Sequence, residues 1–182
     1  MSYYPRPCPN CLRRARLLAH LAPYIERFAS GLRGDRLAGL LGRENYELAE
    51  SVAPDTAPAL LNCVREISDE QLETELAESG CWCCCRHDPR FPVGLREAPG
   101  APWALFGRGD PTLIQQLQPE AAVTIVGARR ASTYGRDVAR ELGRDLASAG
   151  LLIISGLSFG VEACAHRGAL DCGKTVAVLG TG

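Results

Sequence analysis

The sequence predicts an α/β protein in which a helical N-terminal domain, residues 1–80, precedes a parallel βαβαβ unit. Over residues 122–182, short apolar runs alternate with glycine-rich turns and amphipathic helical patterns, an order typical of a parallel sheet covered by helices. Before residue 80, apolar residues recur at helical spacing instead. Residues 81–102 are rich in proline and glycine, and we interpret them as a linker or a strapped loop before a second domain at 103–182.

The composition is that of a folded protein, with 46% hydrophobic and 23% charged residues among 182 and a formal net charge of −1. No apolar run approaches the roughly 20 residues that span a bilayer, and the N-terminus lacks the order of a signal peptide. We therefore expect a cytoplasmic protein with no membrane partner. A small excess of basic over acidic residues at both ends of the chain permits a nucleic-acid partner without requiring one.

The first helix is predicted over residues 12–30, where large apolar residues recur at helical spacing. Pro23 lies inside this pattern, and we expect it to kink or split the helix. The arginines lie off the apolar stripe, which predicts a core-facing helix with a solvated basic face. These arginines are Arg13, Arg14, Arg16 and Arg27.

A later helix has signals at both ends. Ser68 followed by Gln71 forms a capping-box pattern, with acidic residues in the first turn. Gly80 is expected to cap its C-terminus. Together with the shorter helical stretches before it, this helix completes a compact helical set whose residues suggest no chemistry.

The parallel unit is predicted to have three strands, of which the first is interpreted as an apolar strand buried on both faces. They cover residues 123–126, 151–154 and 175–179. Because three strands leave an edge of the sheet bare, we expect the chain to be truncated, with further strands beyond Gly182.

Two helices connect these strands. Ser132 or Thr133 is expected to cap the first, and the second is predicted over residues 161–171. Five apolar residues should form the sheet-facing stripe of the first helix, namely Val138, Ala139, Leu142, Leu146 and Ala149.

The turn after the first predicted strand has the composition of a phosphate site. Gly127 allows a tight turn, the next helix offers unpaired N–H groups, and Arg129 can bind a phosphate through two hydrogen bonds. Arg130 and Ser132 lie in the same turn. Open α/β folds bind ligands at this carboxyl end of the sheet. The alternative is an ordinary strand-to-helix turn with solvated arginines.

The turn after the second predicted strand repeats this arrangement. It contains Gly156 and Gly160, together with the hydroxyl group of Ser155. Because consecutive parallel strands can place their turns side by side, both turns can hold one extended polyanion. Phe159 is a candidate for stacking on a base, although an aromatic residue in a turn is as often a lid over the core.

Two competing motifs fail on their context. The first turn has no G-x-G-x-x-G, and Ser155 stands where a dinucleotide site would have an acidic residue. Residues 168–175 match the Walker A letters, but there the helix precedes the strand, the reverse of a P-loop. Lys174 nevertheless stays a candidate phosphate contact, and we interpret His166 as a residue that supports the turn.

Nine cysteines invite a metal hypothesis. Cys8 and Cys11 form a C-x-x-C knuckle, and Cys81 and Cys84 have the same spacing, so the four are candidate zinc ligands. The sequence does not show that the two pairs meet. Free buried thiols are the alternative that we favour, and no cofactor is predicted.

The two turns and the third strand closely resemble the DprA (Smf) family of DNA-processing proteins. The family pattern IVGSR…YG, SGLARGID…AH…AL and G-x-T-IAVLG-x-G is matched in order by VGARRASTYG, SGLSFGVEACAHRGAL and GKTVAVLGTG. CRHDPRFPVGL and ALFGRGDP are similar to the family's approach to its Rossmann-like core, and residues 1–80 to its helical, SAM-like domain.

This resemblance implies a homodimeric protein that binds and protects single-stranded DNA and loads the recombinase RecA during transformation. It implies no established catalytic reaction. The family's DNA pocket corresponds here to Arg129, Gly156, Gly160 and, less surely, Lys174. The dimer surface, the RecA contacts and any winged helix are expected beyond Gly182.

The second turn departs from the family pattern at Ser158, Phe159 and Glu162, so its contacts with DNA can differ. A nucleotide-handling enzyme is the alternative function, since similar Rossmann-like proteins include phosphoribohydrolases. Such an enzyme needs an acidic, glycine-rich motif on a later turn, and the chain ends before any such position.

Overall fold

The structure is a computed structural model that describes residues 7–30, 34–118 and 120–180. The chain divides into two compact units, Met1–Thr112 and Leu113–Gly182. The first is mainly helical, and the second contains a small parallel sheet with its helices. The predicted fold class, a helical domain followed by a Rossmann-like βαβαβ unit, is thereby confirmed.

Five helices form the first part of the first unit, and both predicted caps of the last one are confirmed. Ser68 accepts a hydrogen bond from the backbone of Gln71, whose side chain accepts one from the Ser68 N–H, and Gly80 adopts a left-handed φ of 66°. The first helix passes through Pro23 without a break. The helices are α1 (Pro9–Ala29), α2 (Gly34–Leu41), α3 (Asn45–Val52), α4 (Ala57–Glu66) and α5 (Asp69–Ser79).

A charged side chain, Arg14, is buried in the core of these helices. Arg14, expected on a solvated face, is 1% exposed. Its guanidinium donates hydrogen bonds to Asn45 Oδ1 at 2.7 Å and to the carbonyl oxygens of Leu41 and Arg43 at 2.8 and 2.7 Å. These acceptors replace the lost water at Nη1 and Nη2, which offsets much of the cost of burying the charge, whereas the buried Nε has no hydrogen-bond partner.

Residues 81–102, interpreted from sequence as a linker or strap, contain regular structure within the first unit. Strand β1 (Trp82–Cys85) and helix α6 (Val93–Arg96) lie there, and β1 pairs antiparallel with β2 (Ala104–Gly107). A 3₁₀ helix, Pro111–Gln116, follows β2. The proline and glycine content therefore marks the turns around a short hairpin-like pair of strands.

The second unit is a three-stranded parallel sheet in the order β3-β4-β5, so that β4 is central. Both connections are helical and step in the same direction across the sheet. Because such crossovers are right-handed, both helices lie on one face of the sheet. In chain order the elements are β3 (Ala122–Thr124), α7 (Thr133–Ser148), β4 (Leu152–Ser155), α8 (Val161–Leu170) and β5 (Thr175–Ala177).

Helices α7 and α8 pack through glycines at very short range. A Cβ atom at Gly143 would lie 2.3 Å from the carbonyl oxygen of Ala165, and one at Gly168 would lie 1.9 Å from that of Arg140. The buried stripe of α7 is accordingly Ala139, Gly143 and Ala147. The predicted stripe is corrected, since Val138 and Leu142 are 41% and 45% exposed. Small residues are buried because only they allow the two backbones to approach.

We expect Gly168→Ala to destabilise the second unit by about 1–3 kcal/mol, because the added methyl group would overlap the backbone of α7. The matched control is Gly39→Ala in α2, where a new Cβ meets nothing within 4 Å. That variant should be neutral or more stable by up to about 1 kcal/mol, from helix propensity. Urea unfolding measures both variants, and hydrogen exchange of the β4 amides measures the effect of Gly168→Ala on the second unit. Equal unfolding of Gly168→Ala and the unaltered chain would contradict the close packing.

Candidate nucleic-acid interface

Two loops meet at the carboxyl edge of the parallel sheet. Loop 1, residues 127–132, leads to α7, and loop 2, residues 156–160, leads from β4 to α8. The Val161 N–H donates a hydrogen bond to the Ala128 carbonyl oxygen at 3.3 Å, which ties the end of loop 2 to loop 1. The predicted side-by-side placement of the two turns is thus present in the structure.

Two of the glycines in these loops are needed for this contact. Gly160 has φ 85° and ψ −127°, and a Cβ there would lie 2.3 Å from the carbonyl oxygen of Ala128. A Cβ on Gly127 would lie 2.8 Å from the side chain of Val161. Any larger residue would separate the loops, so both glycines shape the interface by letting backbones touch.

Loop 1 presents positive charge beside the start of a long helix. Ser132 caps α7, and its Oγ accepts a hydrogen bond from the Gly135 N–H at 3.1 Å, which confirms the predicted cap. The first turn of a helix has N–H groups without intrahelical partners and attracts anions. Arg129 and Arg130 are exposed in the same loop. Loop 1 therefore combines two guanidinium groups with a helix N-terminus.

Two arginines farther along α7 form ion pairs with acidic residues. Arg140 forms an ion pair with Asp171 at 3.1 Å, and Arg144 forms one with Asp145 at 3.0 Å. Both pairs lie on exposed surface, where such contacts stabilise little. They nevertheless reduce the net positive charge along α7 away from its N-terminus.

Loop 2 is held closed by Glu162, a residue that the sequence analysis did not assign to the site. The Ser158 N–H and its hydroxyl group donate to Glu162 Oε2 at 3.0 and 2.5 Å. These two hydrogen bonds, with smaller contributions from Arg129 and His166, lower the pKa of Glu162. The sequence pattern that could have indicated this role is an acidic residue in the first turn of a helix, where it can accept hydrogen bonds from the preceding loop.

Ser155 and His166 lie beneath the loops. Ser155 is 2% exposed, and its hydroxyl donates to the Ile125 carbonyl oxygen, so it supports the strands instead of facing a ligand. His166 Nε2 donates to the Gly156 carbonyl oxygen at 2.6 Å, and its Nδ1 lies 2.7 Å from Thr175 Oγ1. The histidine thereby connects loop 2 to β5, in agreement with the supporting role predicted for it.

The tip of loop 2 is apolar and faces solvent. Phe159 is 85% exposed and Leu157 is 65% exposed. A phenyl ring this exposed does not cover the core of this unit, which removes the predicted alternative of a lid. Its faces are open to a planar ligand.

Lys174 is not brought together with the loops. It immediately precedes β5, whereas both loops follow β3 and β4. In a parallel sheet these positions lie at opposite edges, about 10 Å apart across a three-residue strand. The predicted phosphate contact of Lys174 therefore has no support in the position of this residue.

The four predicted zinc ligands do not come together as a set. Cys8 and Cys11 lie next to each other in the first unit, but the groups beside them are Cys85 and His87. Cys81 contacts Ser79 instead, and Cys84 is buried outside this group. The C-x-x-C spacing correctly indicated Cys8 and Cys11. The other two members of the group, Cys85 and His87, have C-x-H spacing, which was not considered as a ligand pattern.

The pKa of Glu162 gives loop 2 a testable acid sensitivity. The ordinary value is 4.5, and in the folded chain it is lower. The closing contacts therefore stabilise the fold fully above pH 4.5 and are lost as pH falls through the lower, folded pKa. We expect the NMR shift of the Ser158 amide to titrate with a midpoint below 4.5.

The control for this titration is Glu162→Gln, which has no carboxyl group at this position and should abolish the transition. A midpoint at or above 4.5 in the unaltered chain would show that Ser158 does not hold the carboxylate in its charged form.

Across the described part of the chain, none of the helices has the length and apolar composition needed to cross a lipid bilayer.

The chain is similar to curated DNA-processing proteins over about half of its length. It is 41% identical over 93 residues to DNA processing protein DprA of Mycobacterium tuberculosis, covering 50% of this chain and 23% of that protein. It is 40% identical over 98 residues to protein Smf of Synechocystis, covering 52% and 24%. The chain thus spans about a quarter of the length of these two relatives.

A solved structure supports the same relationship. The X-ray structure of DNA processing protein A (DprA) from Streptococcus pneumoniae matches 95% of this chain and 56% of its own with a TM-score of 0.61 and 25% sequence identity. The family model described as DNA recombination-mediator protein A matches residues 82–182, a range that includes both loops. Because that match covers more than half of the sequence, this chain belongs to the DNA recombination-mediator protein A family.

Proposed function

We propose that the two loops bind the sugar–phosphate backbone of single-stranded DNA in a protein that mediates recombination. The observation that supports this most directly is the pairing of the loops at the carboxyl edge of the sheet, with Arg129 and Arg130 exposed beside the N-terminus of α7. This arrangement suits a chain of anions better than a single small ligand, because two adjacent loops each lead into a helix N-terminus and loop 1 adds two guanidinium groups.

The loops contribute to binding in different ways. Arg129 and Arg130 in loop 1 offer guanidinium groups that bind phosphate oxygens in pairs. In loop 2, Gly156 and Gly160 set the path of the backbone that a phosphate would meet, since a Cβ atom would lie 2.6 Å from Glu162 Oε2 at Gly156 and 2.3 Å from the Ala128 carbonyl oxygen at Gly160. Gly127 and Ser132 act within loop 1 by setting its path and capping α7.

Phe159 adds a contact to a base. Its ring is 85% exposed at the tip of loop 2, in one of the two loops that we assign to phosphate binding. Exposed aromatic rings beside a basic groove stack on unpaired bases, and they accept any base because every base has a π-face. A double helix hides these faces, so this contact favours single strands.

The activity of the whole protein is a further step of this proposal. The relatives are DNA-processing proteins, and the family model is that of a recombination mediator. We infer that the intact protein protects incoming single strands, loads RecA during transformation and acts as a homodimer. The role is one of binding and delivery, and it includes no covalent step.

Arg129→Ala tests the phosphate contact. Loss of a hydrogen bond to a charged group removes about 1.5 kcal/mol, so the Kd for a labelled oligothymidine should rise about tenfold. The slope of log K against log salt should fall by about 0.7 for one lost phosphate contact on a single strand. Fluorescence anisotropy over a range of salt concentrations measures both quantities.

Two variants of equal charge change serve as controls for Arg129→Ala. Arg144→Ala lies in the C-terminal half of α7, and Lys174→Ala lies at the opposite edge of the sheet. Both should leave the salt slope unchanged. If Arg129→Ala also left affinity and slope unchanged, the proposed interface would be rejected.

Phe159→Ala tests base stacking separately from charge. We expect it to weaken binding by about 1–3 kcal/mol with no change in the salt slope, because a stacked ring releases no counterions. Phe159→Trp should retain the affinity, since it keeps an aromatic face. Quenching of a 2-aminopurine strand by the protein should be lost only in the alanine variant, and equal quenching by both variants would exclude stacking.

A further inference from the structure

Four potential metal ligands from two distant stretches of the chain converge in the first unit. The ligand atoms of Cys8, Cys11, Cys85 and His87 all lie within 4.8 Å of one another. The Sγ atoms of Cys8 and Cys11 each lie 3.4 Å from His87 Nδ1. A tetrahedral zinc ion with about 2.3 Å to sulfur and 2.0–2.1 Å to nitrogen separates neighbouring ligand atoms by about 3.5–3.8 Å. The two sulfur–nitrogen distances are therefore close to those of a four-coordinate site, and the remaining ligand atoms lie near enough to complete it with shifts of about 1 Å.

The start of α1 fixes the first two ligands. Cys8 is the N-cap, with extended backbone angles of −77° and 149°, and its side chain makes no capping hydrogen bond. Pro9 begins the helix, and the Cys8 carbonyl oxygen accepts hydrogen bonds from the N–H groups of Cys11 and Leu12. This turn brings the two thiols together, and the Cys8 thiol stays available to bind a metal ion because it does not cap the helix.

The end of β1 fixes the other two. Cys85 is the last residue of the strand, and its carbonyl oxygen accepts a hydrogen bond from the Asp88 N–H at 2.8 Å, which closes a turn around His87. Asp88 is held in turn by Arg90, whose Nε and Nη2 donate to its carboxylate at 2.9 and 2.8 Å. The turn is therefore ordered by contacts that do not use the ligand atoms.

Strand alternation selects Cys85 among its neighbours. Successive side chains of a strand point to opposite faces, so Cys84 faces away from Cys83 and Cys85. Cys83 packs with Leu12 and Leu72 in a small apolar cluster, where a charged ligand would be costly. Only Cys85 of these three lies in the group with His87.

The surroundings of the cluster fit thiolate ligands and a route of entry. The Cys8 N–H donates to Cys85 Sγ at 3.4 Å, a contact that stabilises negative charge on the sulfur. Cys11 and Cys85 are buried, whereas Cys8 is half-buried and His87 is exposed. An ion can thus enter on the histidine side and be enclosed on the sulfur side.

We propose that Cys8, Cys11, Cys85 and His87 form a structural zinc site that fastens the start of α1 to the end of β1. Three cysteines and one histidine are a donor set that zinc prefers, and four protein ligands leave no open position for a substrate. A dithiol redox centre is a poorer fit, because the ring nitrogen of His87 lies 3.4 Å from two sulfur atoms, as the ligands of one metal ion would.

The first test is metal content of the full chain purified without chelators. We expect one zinc ion per chain by mass spectrometry. After removal of the metal, titration with Co²⁺ should give the intense visible absorption of tetrahedral thiolate coordination, and Zn²⁺ should displace it. Removal of zinc should also lower the Tm of the first unit, because a structural metal links two parts of the chain.

Variants then assign the ligands. Cys11→Ser and His87→Ala should lose the stoichiometric metal, whereas Cys81→Ser, an otherwise similar change outside the cluster, should retain it. His87→Cys should restore zinc binding with a four-cysteine set, which shows that the loss in His87→Ala is a loss of coordination and not of folding.

Three outcomes would overturn the proposal. One is a reduced, folded chain that neither contains zinc nor takes up added Zn²⁺. Another is retention of zinc in both Cys11→Ser and His87→Ala. The third is a Cys8–Cys11 disulfide in freshly purified protein whose reduced form gives no tetrahedral Co²⁺ spectrum.

Discussion

The approach of Gly160 to the backbone of loop 1 is the contact on which the candidate interface depends. With φ 85°, this residue turns the chain out of loop 2 and brings Val161 within hydrogen-bonding distance of the Ala128 carbonyl oxygen. A Cβ here would overlap the Ala128 carbonyl oxygen at 2.3 Å. Without this contact the two loops would be separate strand-to-helix turns, each with one helix N-terminus and no shared surface.

The packing of α7 on α8 keeps that contact in place. Because Gly143 and Gly168 allow these helices to meet backbone to backbone, the N-termini that follow the two loops are held close together. His166 adds to this support, since its Nε2 donates to the Gly156 carbonyl oxygen in loop 2 and its Nδ1 lies 2.7 Å from Thr175 Oγ1 in β5. Ser155, at the end of β4, donates to the carbonyl oxygen of Ile125, the residue after β3. The loops are thus short segments between fixed points, as a preorganised binding surface requires.

Much of this arrangement could be predicted from the sequence, because it depends on local patterns. Strand, turn and helix signals located β4, the Ser132 cap and both loops to within a few residues. The stripe of α7 was missed because hydrophobicity favours Val138 and Leu142, whereas the partner here is a helix that admits only small residues. Arg14 was expected to be solvated because its hydrogen-bond acceptors lie about 30 residues away in the sequence and no local pattern points to them.

The proposed zinc ligands could be predicted only in part, because they come from two distant stretches of the chain. Cys8 and Cys11 could be paired by their spacing, but Cys85 and His87 join them only after the chain has folded back over more than 70 residues. Among the neighbouring cysteines only Cys81 and Cys84 have C-x-x-C spacing, and this spacing favoured the wrong pair. The pleat of β1 turns Cys84 away from Cys85, and the turn that places His87 is set by Asp88 and Arg90.

The distribution of charge between the loops bears on what kind of DNA recognition is possible. Loop 2 contributes no cationic side chain, and the acid beside it, Glu162, is engaged by Ser158. In the proposed complex, electrostatic attraction must therefore come from loop 1 and the helix N-termini, and contacts of this kind to phosphates carry no sequence information. The other proposed contact, stacking on the exposed ring of Phe159, accepts any base. If the loops bind single strands as proposed, they bind them without preference for sequence, as the handling of DNA of arbitrary origin requires.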